Sequence, residues 1–485
     1  MQKKITTFKE YKIEWQKSVD NPKKFWEEKA QNFIWRKKWD RVLSGSFKKA
    51  ETRWFDGGKL NITENCLDRH LKKRSNQTAI KWVANNPQEK SISLSYKELY
   101  HEVCVFANTL KKYSIKKGDR ICIYMPMVPE LAIAVLACAR LGAIHSVVFA
   151  GFSAKSLSER INDASCKLLI TADGGFRGEK ITPLKKIADK AMQSTPSIEK
   201  CIVLKRTNEH INMKRDRDIW WHEAIKNSKT DCSIEIMDSE DPLFILYTSG
   251  STGKPKGIQH STGGYMIYTE FSFRNVFQYD DGDVYWCTAD IGWITGHSYI
   301  IYGPLLSGAT TMMFEGVPSY PDAGRFWQIV EENKVNIFYT APTAIRSLEA
   351  KGIEFVNPYN LSSLKVLGTV GEPINEDAWR WYEKEIGKQN CPIVDTWWQT
   401  ETGGIMISNL AGVTPAKPTF ATLPLPGVQA CLVDEKGKEM KGNGVEGSLC
   451  IKFPWPSIAR TIYGDHQRFK DTYFSTFPNK YFTGD

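Results

Sequence analysis

The loop at residues 247–257 constrains this chain more than any other stretch. It follows an apolar run at residues 243–246, which predicts a buried strand, and it is built mainly from glycine, serine, threonine and lysine. Glycines let the backbone approach an oxyanion closely, and successive N–H groups form a concavity that binds anions. The hydroxyls add donors, and Lys254 and Lys256 add positive charge. The pattern therefore predicts a phosphate-binding loop in a protein that uses a nucleotide.

This loop differs from the Walker A sequence, G-x-x-x-x-G-K-[ST]. Gly253 and Lys254 follow Gly250 too soon, and Pro255 stands where Walker A needs serine or threonine. Proline also disfavours α conformation in the residue before it, so a helix is not expected to begin at once. A P-loop kinase or NTPase is therefore disfavoured. A Ser/Gly-rich surface linker is disfavoured too, because flexible linkers rarely follow a buried strand directly.

Charge and composition narrow the function classes. The net charge of +10 comes from 65 basic and 55 acidic residues, yet no nucleic-acid-binding motif is found, so we expect no nucleic-acid partner and favour steering of small anions. The 11 cysteines include no C-x-x-C pair, which argues against a zinc site and a secreted disulfide framework. The N-terminus has no apolar signal core, and the most apolar stretch, residues 131–148, contains Arg140 and His145. We therefore expect no membrane partner and a cytoplasmic location.

Strands and helices alternate along the chain from about residue 71. The clearest examples are a helix at residues 96–113, a strand at 120–124, a helix at 130–141 and a strand at 145–149. Such alternation predicts an α/β fold with parallel, doubly wound sheets. Ahead of it, residues 8–33 space their apolar residues as a helix does.

Three further motifs follow the loop in order, at residues 371–375, 395–404 and 481–485. Together with the loop they resemble the motifs of the adenylate-forming superfamily, and their wording is similar to that of the acetyl-CoA synthetases. The resemblance runs from about Trp26 to Asp485, and several ordered motifs are far more specific than one. It implies ATP-dependent activation of acetate to acetyl-adenylate with release of pyrophosphate, then transfer to coenzyme A, giving acetyl-CoA and AMP. ATP, coenzyme A and Mg²⁺ are the cofactors implied for this acid–thiol ligase.

The resemblance also implies a domain organisation. Residues 1–70 would form the N-terminal extension of acetyl-CoA synthetases, and residues 71–485 the AMP-binding large domain. That domain would hold two doubly wound αβ sheet subdomains and a distorted β-barrel. The family's C-terminal small domain would follow the hinge at Asp485 and is absent from the sequence, although the full reaction needs it. A domain fragment is favoured over a native truncation.

The matched motifs carry over candidate residues for the nucleotide and its metal. For the phosphates and AMP these are Thr248, Ser249, Gly250, Ser251, Thr252, Lys254, Gly371, Glu372, Pro373, Asp395, Thr396, Trp397, Gln399, Thr400 and Asp485. Glu401 is the candidate Mg²⁺ ligand, because a hard cation takes carboxylate oxygen. Thr248, Lys254 and Glu401 are the residues expected to contribute most to catalysis. Asp485 could accept two hydrogen bonds from the ribose diol, although a last residue can also be frayed.

The acid and coenzyme A sites are carried over in the same way. The acetate pocket is expected to be Ile294, Thr295, Val370 and Trp398, with the Trp398 indole as a steric wall against longer acids. Gly151, Arg177, Lys180, Thr295 and Ser319 are the candidates for coenzyme A. Three positions depart from the family pattern: Ile294 replaces valine, Lys180 replaces arginine and Ser319 replaces asparagine. Lysine keeps the charge but loses the two-pronged guanidinium, so its contact with a coenzyme A phosphate would not be bidentate.

Two alternatives to an acetate–CoA ligase remain open. Propionyl-CoA synthetase is the nearer one, and Val370, where a smaller residue would make more room, favours acetate. The other is a truncated, non-catalytic protein that binds AMP or an acyl-adenylate. The expected partners are the small molecules acetate, ATP and coenzyme A, and the oligomeric state is left open.

Overall fold

The computed structural model describes residues 3–248 and 254–485. In this part of the chain, two large sheets combine strands from distant parts of the sequence, and one small sheet is formed by strands between residues 430 and 482. Three two-stranded ribbons accompany them: Arg41–Ser46 with Glu51–Asp56, Gly175–Arg177 with Lys180–Thr182, and Lys59–Leu60 with Met237–Asp238. Helices cover the large sheets, as the alternation of strands and helices predicts.

The first large sheet has eight strands, and most of its neighbours run parallel. Across the sheet the strands are Asp218–Trp220, Lys200–Leu204, Leu168–Ala172, Arg120–Tyr124, Ile144–Val147, Pro242–Thr248, Lys256–Ser261 and Thr461–Ile462. The strand predicted at residues 243–246 lies within Pro242–Thr248, which pairs antiparallel with Lys256–Ser261. The strand predicted at residues 120–124 is confirmed at those residues. The strand predicted at residues 145–149 is found at Ile144–Val147, one residue earlier at its start and two at its end.

The second large sheet has seven strands, parallel except for one pair at its edge. In order they are Ile393–Asp395, Val366–Thr369, Ile337–Thr340, Val284–Cys287, Thr310–Phe314, Thr78–Val83 and Ile92–Ser95. Two parallel sheets of this kind confirm the predicted α/β class and its two sheet subdomains.

The third sheet corrects one detail of the expected fold. It is antiparallel and four-stranded, in the order Glu439–Met440, Ala430–Val433, Ser448–Ile451 and Tyr481–Phe482. Its two outer strands are not paired with each other within the described residues, so the sheet is open rather than a distorted barrel. Its strands are two to four residues long, and a barrel requires the first and last strands to pair.

The α-helices include the two predicted at residues 96–113 and 130–141, and two within the stretch 8–33 that has helical spacing. They are Phe8–Asp20, Pro22–Ala30, Arg69–Arg74, Tyr96–Lys112, Pro129–Leu141, Ala154–Ala164, Leu184–Met192, Trp221–Ala224, Gly263–Val276, Ile294–Gly296, Gly303–Leu306, Arg325–Asn333, Pro342–Glu349, Glu376–Trp381 and His466–Tyr473. Shorter 3₁₀ and π segments are Phe47–Lys49, Glu64–Asp68, His297–Tyr302, Ile353–Phe355, Tyr382–Ile386 and Thr400–Thr402.

Two predicted helices illustrate how their ends are set. Tyr96–Lys112 starts at a capping box formed by Ser95 and Glu98. Pro129–Leu141 opens on proline, whose missing N–H costs nothing in the first turn, and stops at Gly142 with φ +68°. The apolar stretch at residues 131–148 is therefore a buried helix followed by a strand. In the described part of the chain, no helix combines the length and the apolar character needed to cross a bilayer.

The N-terminal helices are part of the main body rather than an appendage. Trp26 is fully buried against Tyr268 and Phe271, with ring centroids 5.4 Å and 5.3 Å away. The indole lies so close to Gly427 that a Cβ there would fall 2.3 Å from it. The Gly427 N–H also donates to the Ser18 hydroxyl over 2.6 Å. The start of the chain is thus tied to a loop about 400 residues later.

Replacing Trp26 should show how much this docking stabilises the fold. Because the indole is fully buried, Trp26→Ala should lower the free energy of unfolding by about 3–5 kcal/mol, measured by urea denaturation. Ile13→Ala, on the exposed side of the first helix, is the control and should change it by no more than about 0.5 kcal/mol. If Trp26→Ala and Ile13→Ala lowered the free energy of unfolding by the same small amount, the N-terminal helices would contribute little to the stability of the body.

Candidate active site

A cavity of about 670 Å³ lies where the carboxyl ends of strands from both large sheets meet. Most of the segments that line it follow strand ends: residues 126–127, 149–151 and 175–177 in the first sheet, and residues 288–290, 315–318, 341, 370–371 and 398–400 in the second. Open parallel sheets place ligands outside the carboxyl ends of their strands, because the loops there converge. The cavity is therefore the natural site for the motifs singled out in the sequence.

All four residues predicted for the acetate pocket line this cavity. Ile294 and Thr295 form the start of the short helix Ile294–Gly296, and Val370 directly follows the strand Val366–Thr369. Trp398 closes the cavity with its indole packed edge-on against Tyr299, at 5.0 Å and 84° between rings. The side chains are buried or half-buried and largely apolar, so they can enclose a short alkyl group and exclude water.

The predicted nucleotide residues divide into two groups. Gly371, Gln399 and Thr400 line the cavity, and Gly371 has φ +93° with open space where a Cβ would lie. Glu372 and Pro373 do not line it. The Glu372 carboxylate accepts hydrogen bonds from the Thr343 hydroxyl and N–H and from Arg346, and these bonds lower its pKa.

Asp395 and Thr396 also point into the body of the protein. The Asp395 carboxyl accepts hydrogen bonds from the Thr369 hydroxyl and from the Trp379 indole N–H at 3.0 Å. The Thr396 hydroxyl donates to the Thr369 carbonyl at 2.7 Å. Burial raises the pKa of Asp395 to about 6. Both side chains therefore fix the loop that follows strand Ile393–Asp395 rather than reach the cavity.

Asp485 is anchored in the structure. Its carboxylate accepts hydrogen bonds from the Trp397 indole N–H at 3.0 Å and from the Gln399 amide at 3.3 Å. Its backbone carbonyl accepts from the Leu449 N–H at 2.9 Å. The fraying that is common at the last residue of a chain is not observed, and Asp485 joins two residues of the predicted nucleotide site.

Glu401 lies in a buried cluster with Tyr473 and Lys256. The Tyr473 hydroxyl donates to one oxygen of the Glu401 carboxylate, and Lys256 Nζ lies 2.8 Å from that hydroxyl and 3.6 Å from the same carboxylate. Burial, with the Glu401 charge next, raises the pKa of Tyr473, so the hydroxyl keeps its proton. No group of three or more His, Cys, Asp or Glu side chains able to hold a metal is found among the described residues. A single carboxylate fits Mg²⁺, which usually binds through one or two carboxylates together with substrate phosphates.

The phosphate loop is described only at its edges. Ser249, Gly250, Ser251 and Thr252 lie outside the described residues. Thr248 ends the strand Pro242–Thr248, and its buried hydroxyl has no hydrogen-bond partner among the described residues. Lys254 is two-thirds exposed, with Nζ 3.5 Å from Asp163. Arg468 donates to the backbone carbonyl of Lys254 at 2.8 Å, which fixes the exit of the loop.

The coenzyme A candidates are brought together in part. Gly151 and Arg177 line the cavity, as does Thr295, whereas Lys180 and Ser319 do not. Lys180 lies opposite Arg177 in the ribbon formed by Gly175–Arg177 and Lys180–Thr182. Ser319 lies in the segment against the ribbon's turn, since a Cβ at Gly178 would lie 3.4 Å from Val317 and 3.7 Å from Tyr320.

Sequence reasoning missed two ionisable side chains in the cavity, Glu315 and Asp290. Asp290 lines it beside the acetate pocket, and one carboxylate oxygen accepts the Gly292 N–H at 2.6 Å. Burial raises the pKa of Asp290 to about 6, opposed by the nearby Arg177 charge. Its position three residues beyond strand Val284–Cys287 was the available signal, because cavity residues in such folds follow strand ends.

Comparison with known proteins agrees with this site. Residues 67–463 match the family described as AMP-binding enzyme, and residues 11–66 match the family described as acetyl-coenzyme A synthetase N-terminus. "Acetyl-coenzyme A synthetase 2" of Pseudomonas aeruginosa is 56% identical over 477 residues, covering 98% of this chain and 74% of the relative. The acetyl-coenzyme A synthetase of Alkalilimnicola ehrlichii is 55% identical, with the same coverage. That of Leptospira biflexa is 56% identical over 99% of this chain and 74% of its own length. The chain belongs to the AMP-binding enzyme family and, within it, to the acetyl-coenzyme A synthetases.

The raised pKa of Asp395 predicts a pH-dependent effect on stability. A carboxyl whose pKa rises from 3.8 to about 6 on folding destabilises the folded state above about pH 6, and this cost falls as the pH drops toward 4. Asp395→Asn removes that dependence. The variant's stability relative to wild type, measured by urea unfolding, should therefore be about 1 kcal/mol more favourable at pH 7 than at pH 5. A difference that stays constant over this range would contradict the raised pKa.

Proposed function

We propose that the protein is an AMP-forming acetate–CoA ligase. The observation that carries the proposal is one cavity lined by candidate residues for all three substrates: Trp398 for the acid, Gly371 for the nucleotide and Arg177 for coenzyme A. Curated relatives that share more than half of their aligned residues with this chain are named acetyl-coenzyme A synthetases, which supports the same activity. The ordered motifs and the family to which the chain belongs therefore indicate the same reaction.

The first step forms a mixed anhydride. An acetate oxygen attacks the α-phosphorus of ATP, the bond to pyrophosphate breaks, and acetyl-adenylate remains. Such a transfer needs positioning and charge neutralisation more than covalent participation by the protein. We assign the outer phosphates to Thr248, Lys254 and the loop between them, and Mg²⁺ binding to Glu401. When bound there, Mg²⁺ would neutralise part of the negative charge of the phosphates.

The second step transfers the acetyl group. The coenzyme A sulfur attacks the acetyl carbonyl carbon, the thiol proton is lost, and the bond to AMP breaks. We assign coenzyme A to Gly151, Arg177 and Thr295, with Lys180 and Ser319 beside the same ribbon. The anchoring of Asp485 by Trp397 and Gln399 supports a role for these three residues at the AMP ribose.

The acid pocket supports a short-chain acid. Trp398 and Val370 limit its depth, but a hydrophobic pocket distinguishes acids that differ by one methylene by only about 1–3 kcal/mol. Some propionate activity is therefore expected, and propionyl-CoA synthetase is the competing assignment. Acetate is preferred here because both limiting side chains are packed in place, Trp398 against Tyr299 and Val370 at a strand end.

We also propose the domain division predicted from the sequence, with an N-terminal extension at residues 1–70 and the large domain at residues 71–485. The two family matches, which meet at residues 66 and 67, support it. A cytoplasmic location is proposed with it, in keeping with 11 cysteines that are all free thiols, ten of them buried.

Acetate-dependent exchange of labelled pyrophosphate into ATP tests the activation step. We expect exchange with acetate, a lower rate with propionate and little with butyrate, because each added methylene meets the Trp398 wall. Formation of acetyl-CoA from added coenzyme A then tests the second step. Exchange fastest with propionate would favour the propionyl-CoA synthetase assignment. AMP binding with no exchange would favour a non-catalytic adenylate-binding protein.

Replacing Trp398 tests the acid pocket. Trp398→Gly should open the cavity and raise the ratio of butyrate to acetate kcat/KM at least about tenfold, because a steric wall is removed. Trp397→Phe is the matched control at the neighbouring indole, which donates to Asp485 instead. It should raise the KM for ATP and leave acid preference unchanged. An unchanged preference in folded Trp398→Gly would refute the pocket assignment.

A further inference from the structure

The ribbon that carries Arg177 and Lys180 is small and follows the strand Leu168–Ala172 of the first sheet in sequence. Its strands pair in three positions, Arg177 with Lys180, Phe176 with Ile181, and Gly175 with Thr182. Gly178, with φ +61°, is the first of the two turn residues, as in hairpins with a type II′ turn. A two-stranded hairpin of this size is at best marginally stable alone, so something else must hold it in place.

Asn85 supplies one such support from the second sheet. It follows the strand Thr78–Val83 of the second sheet and is 3% exposed. Its amide oxygen accepts the Gly178 N–H at 2.8 Å, and its amide nitrogen donates to the Gly178 carbonyl at 2.9 Å. Both backbone polar groups at the turn are thus bound by one side chain 93 residues away in sequence.

A second support fixes the middle of the ribbon. The Arg206 guanidinium lies over the Phe176 ring at 4.8 Å and over the Trp82 ring at 5.1 Å. It donates to Glu315 at 2.6 Å and to Glu89 at 2.8 Å. Glu315 lines the cavity and follows strand Thr310–Phe314 of the second sheet. The second sheet therefore holds the ribbon at its turn and along its length.

We infer that Asn85 is a positioning residue for coenzyme A, which acts by holding the turn of the ribbon so that Arg177 and Lys180 face the anionic end of the ligand. The inference rests on the proposed function. Long basic side chains lose freedom when they bind phosphates, and a ribbon already fixed at its turn loses less than a loose one. Lys180 lacks the fork of arginine, so its contact depends more on where the backbone places it. The contact between Asn85 and Gly178 implies no role for Asn85 in the acid pocket or in the phosphate loop.

Calorimetric titration of the purified protein with coenzyme A and, separately, with ATP tests the inference. Asn85→Ala should weaken coenzyme A binding at least about tenfold and leave the Kd for ATP within about twofold, because the two lost hydrogen bonds lie at the ribbon alone. Asn86→Ala is the matched control. Asn86 is exposed and bonds only locally to the Gln88 N–H at 3.0 Å, so both Kd values should match wild type.

Hydrogen exchange at residues 175–182 provides the second measurement. In Asn85→Ala the amides of this segment should exchange faster than in wild type and in Asn86→Ala, with no change at residues 294–302. Asn85→Ser, which keeps a small polar side chain, should behave in the same way if Asn85→Ala does not fold.

The outcomes separate this inference from the proposed function. If the wild-type protein binds coenzyme A and the Asn85 variants bind it with the same Kd, the positioning role is overturned and the proposed function stands. Equal weakening of coenzyme A and ATP binding would mean a general structural role and would overturn it as well. Wild-type protein that binds ATP but no coenzyme A would overturn the coenzyme A site and the inference together.

Discussion

Parallel strand pairing is the constraint on which the site depends. When neighbouring strands run in the same direction, their carboxyl ends meet at one edge, and each connection must return over a face of the sheet. Two such sheets bring their edges to a common cavity in this protein. Gly151, Asp290, Val370 and Trp398 are therefore neighbours although they are spread over almost 250 residues of sequence. Each is placed by the strand that it follows, and packing at the cavity only refines that placement.

The sequence predicts this fold well where a local pattern determines an element. A buried parallel strand is a continuous apolar run, so the strand at residues 120–124 and the phosphate-loop strand could both be found. The third sheet could not be found in this way. Its strands have two to four residues and are mostly half-buried, so they are too short and too polar in their surroundings to show a clear apolar pattern of their own.

The candidate site was predictable in part for the same reason. The acetate-pocket residues could be identified because they belong to ordered motifs, and all four line the cavity. Motif membership did not separate side chains that face a ligand from those that hold the motif in shape, as Asp395 and Thr396 do. Asn85 carries no sequence signal at all. An asparagine after a strand is ordinary in a turn, and only the tertiary contact with Gly178 distinguishes it.

Some of the buried carboxylates around the cavity also act mainly by fixing positions. Burial raises the pKa of Glu315 even though Arg206 donates to it, so that ion pair does not recover the full cost of leaving water. The Arg206–Glu315 pair therefore contributes more to positioning than to stability, because the same guanidinium packs on Phe176 and joins the two sheets. Asp290 and Asp395, whose pKa values burial raises to about 6, differ in their contacts. Asp395 uses both carboxyl oxygens within the body, whereas Asp290 lines the cavity and its described hydrogen bond, from the Gly292 N–H, uses one oxygen. A carboxyl that fixes a loop can be satisfied inside the protein, but one that faces a substrate must keep part of its capacity open.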